Sequence, residues 1–283
     1  MSALARNLWP VRWVMFTDLD GTLLDTDSYS WKPAQPALEE LARREVPLVF
    51  CSSKTSAEIE ALRRELRNQH PFVTENGGGV YVPQGYFHVD LPQGFPLGSY
   101  KCLALAMPYD RMINELERIA TEAGVEVVGF HQMDARDVAA TTGLPLPAAQ
   151  LALQRDFDEP FFFARADGPS ETRFLELARE RGLELVRGGR FWHLFKGSDK
   201  GRAVRKLMEL YMAATPTQLR FAALGDTAND LPMLAAVDRA VLVPRRDGGF
   251  DQEVLTQLPT VRRATAPGPE GWNTAVLELL AEG

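Results

Sequence analysis

Trp13-Val14-Met15-Phe16-Thr17-Asp18-Leu19-Asp20-Gly21-Thr22 decides the fold. Four apolar residues in a row predict a buried strand, and the chain leaves it through two carboxylates and an Asp-Gly turn. The same order recurs downstream. Pro47-Leu48-Val49-Phe50-Cys51 runs into Ser52-Ser53-Lys54-Thr55, Pro71-Phe72-Val73 into Glu75-Asn76-Gly77-Gly78-Gly79, and Phe221–Leu224 into Gly225-Asp226. Apolar residues at helical spacing separate these runs: Ala34, Ala37, Leu38 and Leu41, then Ile59, Leu62 and Leu66, and later Val204, Leu207, Met208 and Tyr211. Buried strands alternating with amphipathic helices predict an α/β fold with a Rossmann-like parallel-sheet core. Ligands of such sheets bind beyond the carboxyl ends of the strands, so the polar residues that close each run converge on one predicted site.

The middle of the chain reads differently. Val80–Val89 reads as a hairpin around Gly85, Lys101–Met107 as a strand, and Ile113, Leu116 and Ala120 as a helix. Phe161–Ala164 reads as a strand, Phe174, Leu177 and Ala178 mark a helix, and Leu183–Val186 and Phe191–Phe195 are two strands around Arg187-Gly188-Gly189-Arg190. This is an α+β texture inserted into the parallel pattern. The predicted division is a core of residues 1–83 and 198–283 with an inserted α+β cap domain at 84–197. The stretch 256–271, rich in Thr, Pro and Gly, reads as loop before a last helix near Asn273–Leu280.

Net charge is −7 and the isoelectric point about 5.3, so a global basic field for nucleic acid is absent and an anionic ligand must be drawn in by local cations. Cys51 and Cys102 do not make a disulfide framework, which fits a reducing compartment. No apolar run approaches a membrane span, and residues 1–12 do not read as a signal peptide; a cytoplasmic protein is expected.

Two carboxylates at i and i+2 can both face a ligand once the backbone leaves the strand at a Gly turn; a plain Asp-Gly turn requires neither the second Asp nor the later motifs. Gly225-Asp226-Thr227-Ala228-Asn229-Asp230 gathers more acid at a strand end, where it repels unless a cation sits among it. Hard oxygen ligands of this kind suit Mg2+; Asp226 or Asn229 as a simple helix cap is the other reading. Lys200 opens a predicted helix, where the dipole disfavours a cation, which makes sense if a phosphate lies nearby. Ser52 could hold phosphate oxygens or merely cap a helix.

Asp18-x-Asp20, Ser52, Lys200 and Asp226-x-x-x-Asp230 fall in the order and strand-end context of the four motifs of haloacid dehalogenase-like phosphatases, which the chain resembles over its whole length. The segment between Ser52 and Lys200 resembles the large α/β cap of the subclass that includes sugar-phosphate phosphatases. Within that subclass, Phe50-Cys51-Ser52-Ser53-Lys54-Thr55, Glu75-Asn76-Gly77-Gly78, Arg155-Asp156-Phe157-Asp158-Glu159-Pro160-Phe161 and Gly189-Arg190-Phe191-Trp192-His193 resemble the mannosyl-3-phosphoglycerate phosphatase family.

The resemblance implies Asp18 as nucleophile and Asp20 as acid and base. It implies Mg2+ on Asp18, Asp20, Asp226 and Asp230, and phosphate on Ser52, Lys200 and Asn229. It also implies a small anionic sugar-phosphate substrate held by Lys54, Asn76, Arg155, Glu159, Arg190 and His193; from charge and hydropathy, no nucleic-acid or membrane partner is expected. Lys54 and Arg190 stand out, because a glycerate carboxylate needs a cation in an acidic protein. Arg155 and Glu159 also read as a surface ion pair, and His193 as an ordinary strand residue. The alternatives are a general sugar-phosphate phosphatase, a phosphotransfer mutase and, from another class, a catalytically silent phospho-ligand binding protein.

Overall fold

Every residue from Trp13 to Thr17 is buried, which is what a strand covered on both faces of a sheet requires. The computed structural model describes residues 12–88, 91, 94–188, 191–197 and 199–282. They fall into two compact units, one of the described residues within 12–52, 83–91 and 200–282, the other of those within 53–82 and 94–199.

In the first unit five strands lie parallel in the order Arg262–Arg263, Arg239–Leu242, Leu219–Gly225, Arg12–Thr17 and Leu48–Cys51. Register places Thr17 beside Leu224 on one side and Phe50 on the other, and Gly225 beside Leu242. Asp18, Ser52 and Asp226 therefore leave the sheet at one edge. The helices of this unit are Gln35–Arg43, Lys200–Ala214, Leu231–Leu234, Gln252–Gln257 and Gly268–Ala281. The last carries fully buried Trp272, whose indole N–H donates to Thr17 Oγ1 at 2.9 Å; the Thr17 hydroxyl donates to the Asp18 carbonyl at 2.7 Å. The C-terminal helix is thus wired to the end of the strand on which the first motif sits.

The second unit is α+β. Helix Ser56–Glu65 begins at Thr55 with a capping box, Thr55 Oγ1 accepting from the Glu58 N–H and the Glu58 carboxylate accepting from the Thr55 N–H. Strand Gly79–Pro83 lies between Phe72–Thr74, with which it pairs antiparallel, and Tyr100–Ala104, so its neighbours come from both sides of it in the chain. Gly85 does lie in a turn, at φ +75°, while Val89, the far end of the expected hairpin, lies outside the described residues. An antiparallel four-stranded sheet runs in the order Glu126–Gly129, Glu159–Arg165, Phe191–Phe195 and Glu184–Gly188. Helices Tyr109–Ala123 and Gly168–Glu180 cover one face, packing Met112, Leu116, Phe174 and Leu177 on Phe161 and Leu194. Helices Ala135–Thr142 and Leu146–Ala152 cover part of the other, around Phe130, Val138, Ala149 and Phe191.

A Cβ on Gly201 would sit inside van der Waals contact of the Pro232 carbonyl oxygen, so glycine there allows helix Lys200–Ala214 its close approach to Leu231–Leu234. Gly201→Ala is expected to lower the unfolding free energy by about 1–3 kcal/mol, the range for overpacking a filled site. Urea titration checks this; an unchanged midpoint would show that the two helices can part freely.

Candidate active site

At the carboxyl edge of the parallel sheet a buried ammonium joins two buried carboxylates. Lys200 Nζ donates to Asp18 Oδ1 and to Asp230 Oδ1, each at 2.6 Å, and only 2% of the lysine is exposed. The second Asp230 oxygen accepts from the backbone N–H groups of Asp226 and Thr227, at 3.0 and 3.2 Å. Thr22 Oγ1 donates to Asp226 Oδ1 at 3.3 Å. One oxygen from each of Asp18, Asp226 and Asp230 lies within 4.8 Å of the others, a spacing that one metal ion could satisfy.

The local backbone is shaped for this crowding. Gly21, at φ +80°, lies where a Cβ would stand 2.7 Å from Asp226 Oδ2. The turn it enters is tight, with the Gly21 N–H donating to the Leu24 carbonyl at 2.9 Å. Asp20 is half-buried on this turn. Ser52 is buried as the first residue beyond its strand, and Asn229 is half-buried in the 3-10 turn Ala228–Asp230.

Burial, with repulsion from Asp230 and Asp226, lifts the Asp18 carboxyl well above its ordinary value, against the pull of Lys200. Burial and Asp230 likewise push Asp226 up to about 7. Burial opposes the charge on Lys200, but Asp18 and Asp230 hold its pKa above the ordinary lysine value, so it stays protonated. Three carboxylates around one ammonium leave an excess of negative charge, and a divalent cation is the counter-charge that fits it.

The second unit gathers a different set. Glu75 accepts from the backbone N–H groups of Asp156, Phe157 and Asp158 at 2.8–3.1 Å. Arg155, buried, donates to the carbonyls of Asp158 (2.7 Å) and Ser53 (3.0 Å), and its Nη2 lies 3.2 Å from Asp158 Oδ2. Asn76 Nδ2 donates to Asp158 Oδ2 at 3.2 Å, and His193 Nδ1 lies 3.0 Å from the same atom. The Lys54 carbonyl accepts from the Glu75 N–H at 3.1 Å.

Asn76, Arg155 and His193 thus meet at Asp158, with the Lys54 backbone one hydrogen bond from Glu75. Glu159 does not join them; it accepts from the Tyr109 hydroxyl at 2.5 Å and the His131 N–H at 3.1 Å. Arg190 lies outside the described residues. Asp158 itself escaped the sequence reading. The available signal was three acids and one arginine, Arg155 to Glu159, running straight into the apolar strand Pro160-Phe161-Phe162-Phe163. A charge cluster entering a core needs internal partners. A cavity of about 610 Å3 next to Asp226, lined by Gly21, Thr26, Arg245, Arg246 and Gly268 among others, was also not foreseen.

Residues 15–90 match the family model of haloacid dehalogenase-like hydrolases. The glucosyl-3-phosphoglycerate/mannosyl-3-phosphoglycerate phosphatase of Methanococcoides burtonii is 41% identical over 269 residues, 95% of this chain and 97% of that one. The enzyme of the same name from Persephonella marina is 37% identical over 275 residues, again 95% and 97%. The chain belongs to the mannosyl-3-phosphoglycerate phosphatase family. It is a haloacid dehalogenase-like phosphatase, a phosphoric monoester hydrolase, and the expected α/β fold with a cap is the fold it shares with a subclass IIB sugar phosphatase of known structure. That structure superposes with a TM-score of 0.62 at 16% identity, covering 95% of this chain and 99% of the other. Among the described residues, no helix of the phosphatase is long and apolar enough to cross a membrane.

The raised carboxyls of Asp18 and Asp226 bind protons more tightly folded than unfolded. The stability they lend is present below the unfolded value of 3.8 and is lost as pH rises through about 7. The Tm of the metal-free phosphatase should therefore fall between about pH 5 and pH 8, and Asp226→Asn should flatten the slope. Calorimetry in chelator checks this; an equal slope in the variant would mean that Asp226 is not strained by its neighbours.

Proposed function

We propose that this phosphatase hydrolyses mannosyl-3-phosphoglycerate, or its glucosyl analogue, to the glycosylglycerate and phosphate through a phospho-aspartate on Asp18, with Mg2+ as cofactor. The observation that carries the reading is the buried Asp18–Lys200–Asp230 chain beside Asp226, in a chain whose relatives bear that activity in their names.

An Asp18 carboxylate oxygen attacks phosphorus and the ester P–O bond breaks, so one hard step becomes two easier ones. Asp20 gives its proton to the leaving oxygen. Water then attacks the phospho-aspartate, Asp20 takes a proton from it, and phosphate departs with Asp18 restored. Lys200 and Ser52 hold the phosphoryl oxygens, with Asn229 in support. Asp230 acts through its hydrogen bonds, fixing Lys200 with one oxygen and the Asp226-Thr227 turn with the other.

Asp18, Asp226 and the Asp20 carbonyl would hold Mg2+, with Asp230 beside them; the excess negative charge of the cluster is the fit. When bound, the ion screens the charge on nucleophile and phosphate. The glycosylglycerate is assigned to Lys54, Asn76, Arg155, Arg190 and His193, with Lys54 and Arg190 as cations for its carboxylate; Glu159, fully buried and committed to Tyr109 and His131, is not among them. Two buried free cysteines, Cys51 and Cys102, suit a reducing, cytoplasmic setting.

Asp18→Asn should abolish turnover, since an amide is no nucleophile, and a fluoroberyllate analogue should be trapped against Asp18 in the wild type. Chelation should silence the enzyme and Mg2+ restore it, while raising the Tm more at high pH, where the carboxylates are ionised. Phosphate release across a panel of glycosyl-phosphoglycerates and sugar phosphates tests the substrate. Near wild-type activity of Asp18→Asn, or full activity in excess chelator, would defeat the chemistry; silence on every glycosyl-3-phosphoglycerate would defeat the substrate.

A further inference from the structure

Helix Gly268–Ala281 meets the chain around the nucleophile at three places. Its first residue, Gly268, lines the cavity next to Asp226 together with Gly21 and Asp25, just beyond the first motif, and a Cβ on it would stand 3.9 Å from the Asp25 backbone. One turn on, the Trp272 indole N–H donates to Thr17 Oγ1 at 2.9 Å. The next residue, Asn273, accepts at its Oδ1 from the Ala37 N–H at 2.9 Å, in the first turn of helix Gln35–Arg43. One helix thus holds the chain on both sides of Asp18.

The middle contact has a direction that its chemistry forces. An indole N–H only donates, so Thr17 Oγ1 accepts from Trp272 and must place its single proton elsewhere. That proton goes to the Asp18 carbonyl, at 2.7 Å. On the other side the Asp18 N–H donates to the Leu224 carbonyl at 2.9 Å. Both backbone groups of the nucleophile are therefore held, the N–H by the neighbouring strand and the C=O by a relay from the last helix. The side chain needs such a mount. Lys200 draws the Asp18 carboxylate in, while Asp226 and Asp230, each with an oxygen within 4.8 Å of it, repel it. A side chain under opposed forces keeps its aim only if its backbone is fixed. Packing alone does not require the relay. Thr17 and Trp272 are fully buried, and valine and phenylalanine would make an apolar contact there with no polar atom to satisfy.

We propose that Trp272 and Thr17 are positioning residues for the nucleophile: the relay from the indole N–H through the Thr17 hydroxyl to the Asp18 carbonyl fixes the backbone from which the Asp18 carboxylate is aimed at phosphorus. This rests on the phosphatase reading given above, and not on the identity of the ester. Neither residue touches the reacting atoms. Their effect is felt in the steps that form and break the phospho-aspartate, where the approach must be in line, and not in binding of the ester, which Lys200 and Ser52 supply. The signature of such a role is a lower kcat at an unchanged KM.

The test uses the Mg2+-loaded full chain and whichever ester of the panel the wild type turns over best. Trp272→Phe and Thr17→Val each break the relay, and each should lower kcat about five- to thirtyfold with KM within about twofold of the wild type. Each single variant also leaves a buried polar group unpaired and so loses stability. The double variant removes both polar side chains and should regain most of that stability in urea titration, yet its kcat should stay as low as that of either single variant. Thr17→Ser keeps the hydroxyl and should hold kcat within about threefold of the wild type. A relay that only supports the fold gives another pattern, in which the rate recovers with the stability in the double variant. That pattern, or a wild-type kcat in Thr17→Val, overturns the inference. If Trp272→Phe does not fold, Thr17→Val against Thr17→Ser decides alone, and equal rates in the two overturn it. A wild type silent on every ester removes the phosphatase reading itself, and the inference with it.

Discussion

The Lys200 ammonium between Asp18 and Asp230 is the contact on which the rest of the first unit depends. A lysine buried to 2% exposure stays charged only if its partners are fixed, and the two 2.6 Å bonds do that. Its position is otherwise unfavourable, since the first turn of helix Lys200–Ala214 repels cations. The two carboxylates outweigh the dipole, and Gly201 lets the helix come near enough for them to do so. Asp230 then carries the constraint onward through the N–H groups of Asp226 and Thr227, so the second acidic strand end is set by the same lysine. Removing the cation would leave two buried anions uncompensated and free the turn that aims Asp226.

The strand on which this chain of contacts begins is held from the far end of the sequence. Trp272 bonds Thr17, and Thr17 bonds the Asp18 carbonyl. That link was not legible in the sequence. Residues 256–271 read as loop because Thr, Pro and Gly dominate them, yet helix Gly268–Ala281 begins inside that stretch. Proline is compatible with the first turn of a helix, where its missing N–H is no loss, so composition misjudged the start. The parallel core was legible because its strands are continuous apolar runs, each ended by polar residues. Helices Ala135–Thr142 and Leu146–Ala152 were not, since short alanine-rich segments carry too few large apolar residues to show a period. The strand Gly79–Pro83 shows a third kind of limit: its sequence gives β character but not which strands, Phe72–Thr74 and Tyr100–Ala104, it lies between.

In the second unit the string Arg155 to Glu159 was legible as a place where charge enters a core, but the division of labour inside it was not. Asp158 and Glu159 are adjacent acids, and alternation in a strand sends them to opposite faces. One is committed to Arg155, Asn76 and His193, the other to Tyr109 and His131. Which face receives which partners is decided by Asn76 and His193 on one side and Tyr109 and His131 on the other, all more than 25 residues away in sequence, and no local pattern encodes that choice. Once made, it is enforced by shape: Gly129 lies so close to Glu159 and His131 that any side chain there would displace them. The two acids therefore cannot exchange roles. The face of the sheet that receives His193 is fixed by the same packing that hides Glu159 on the other.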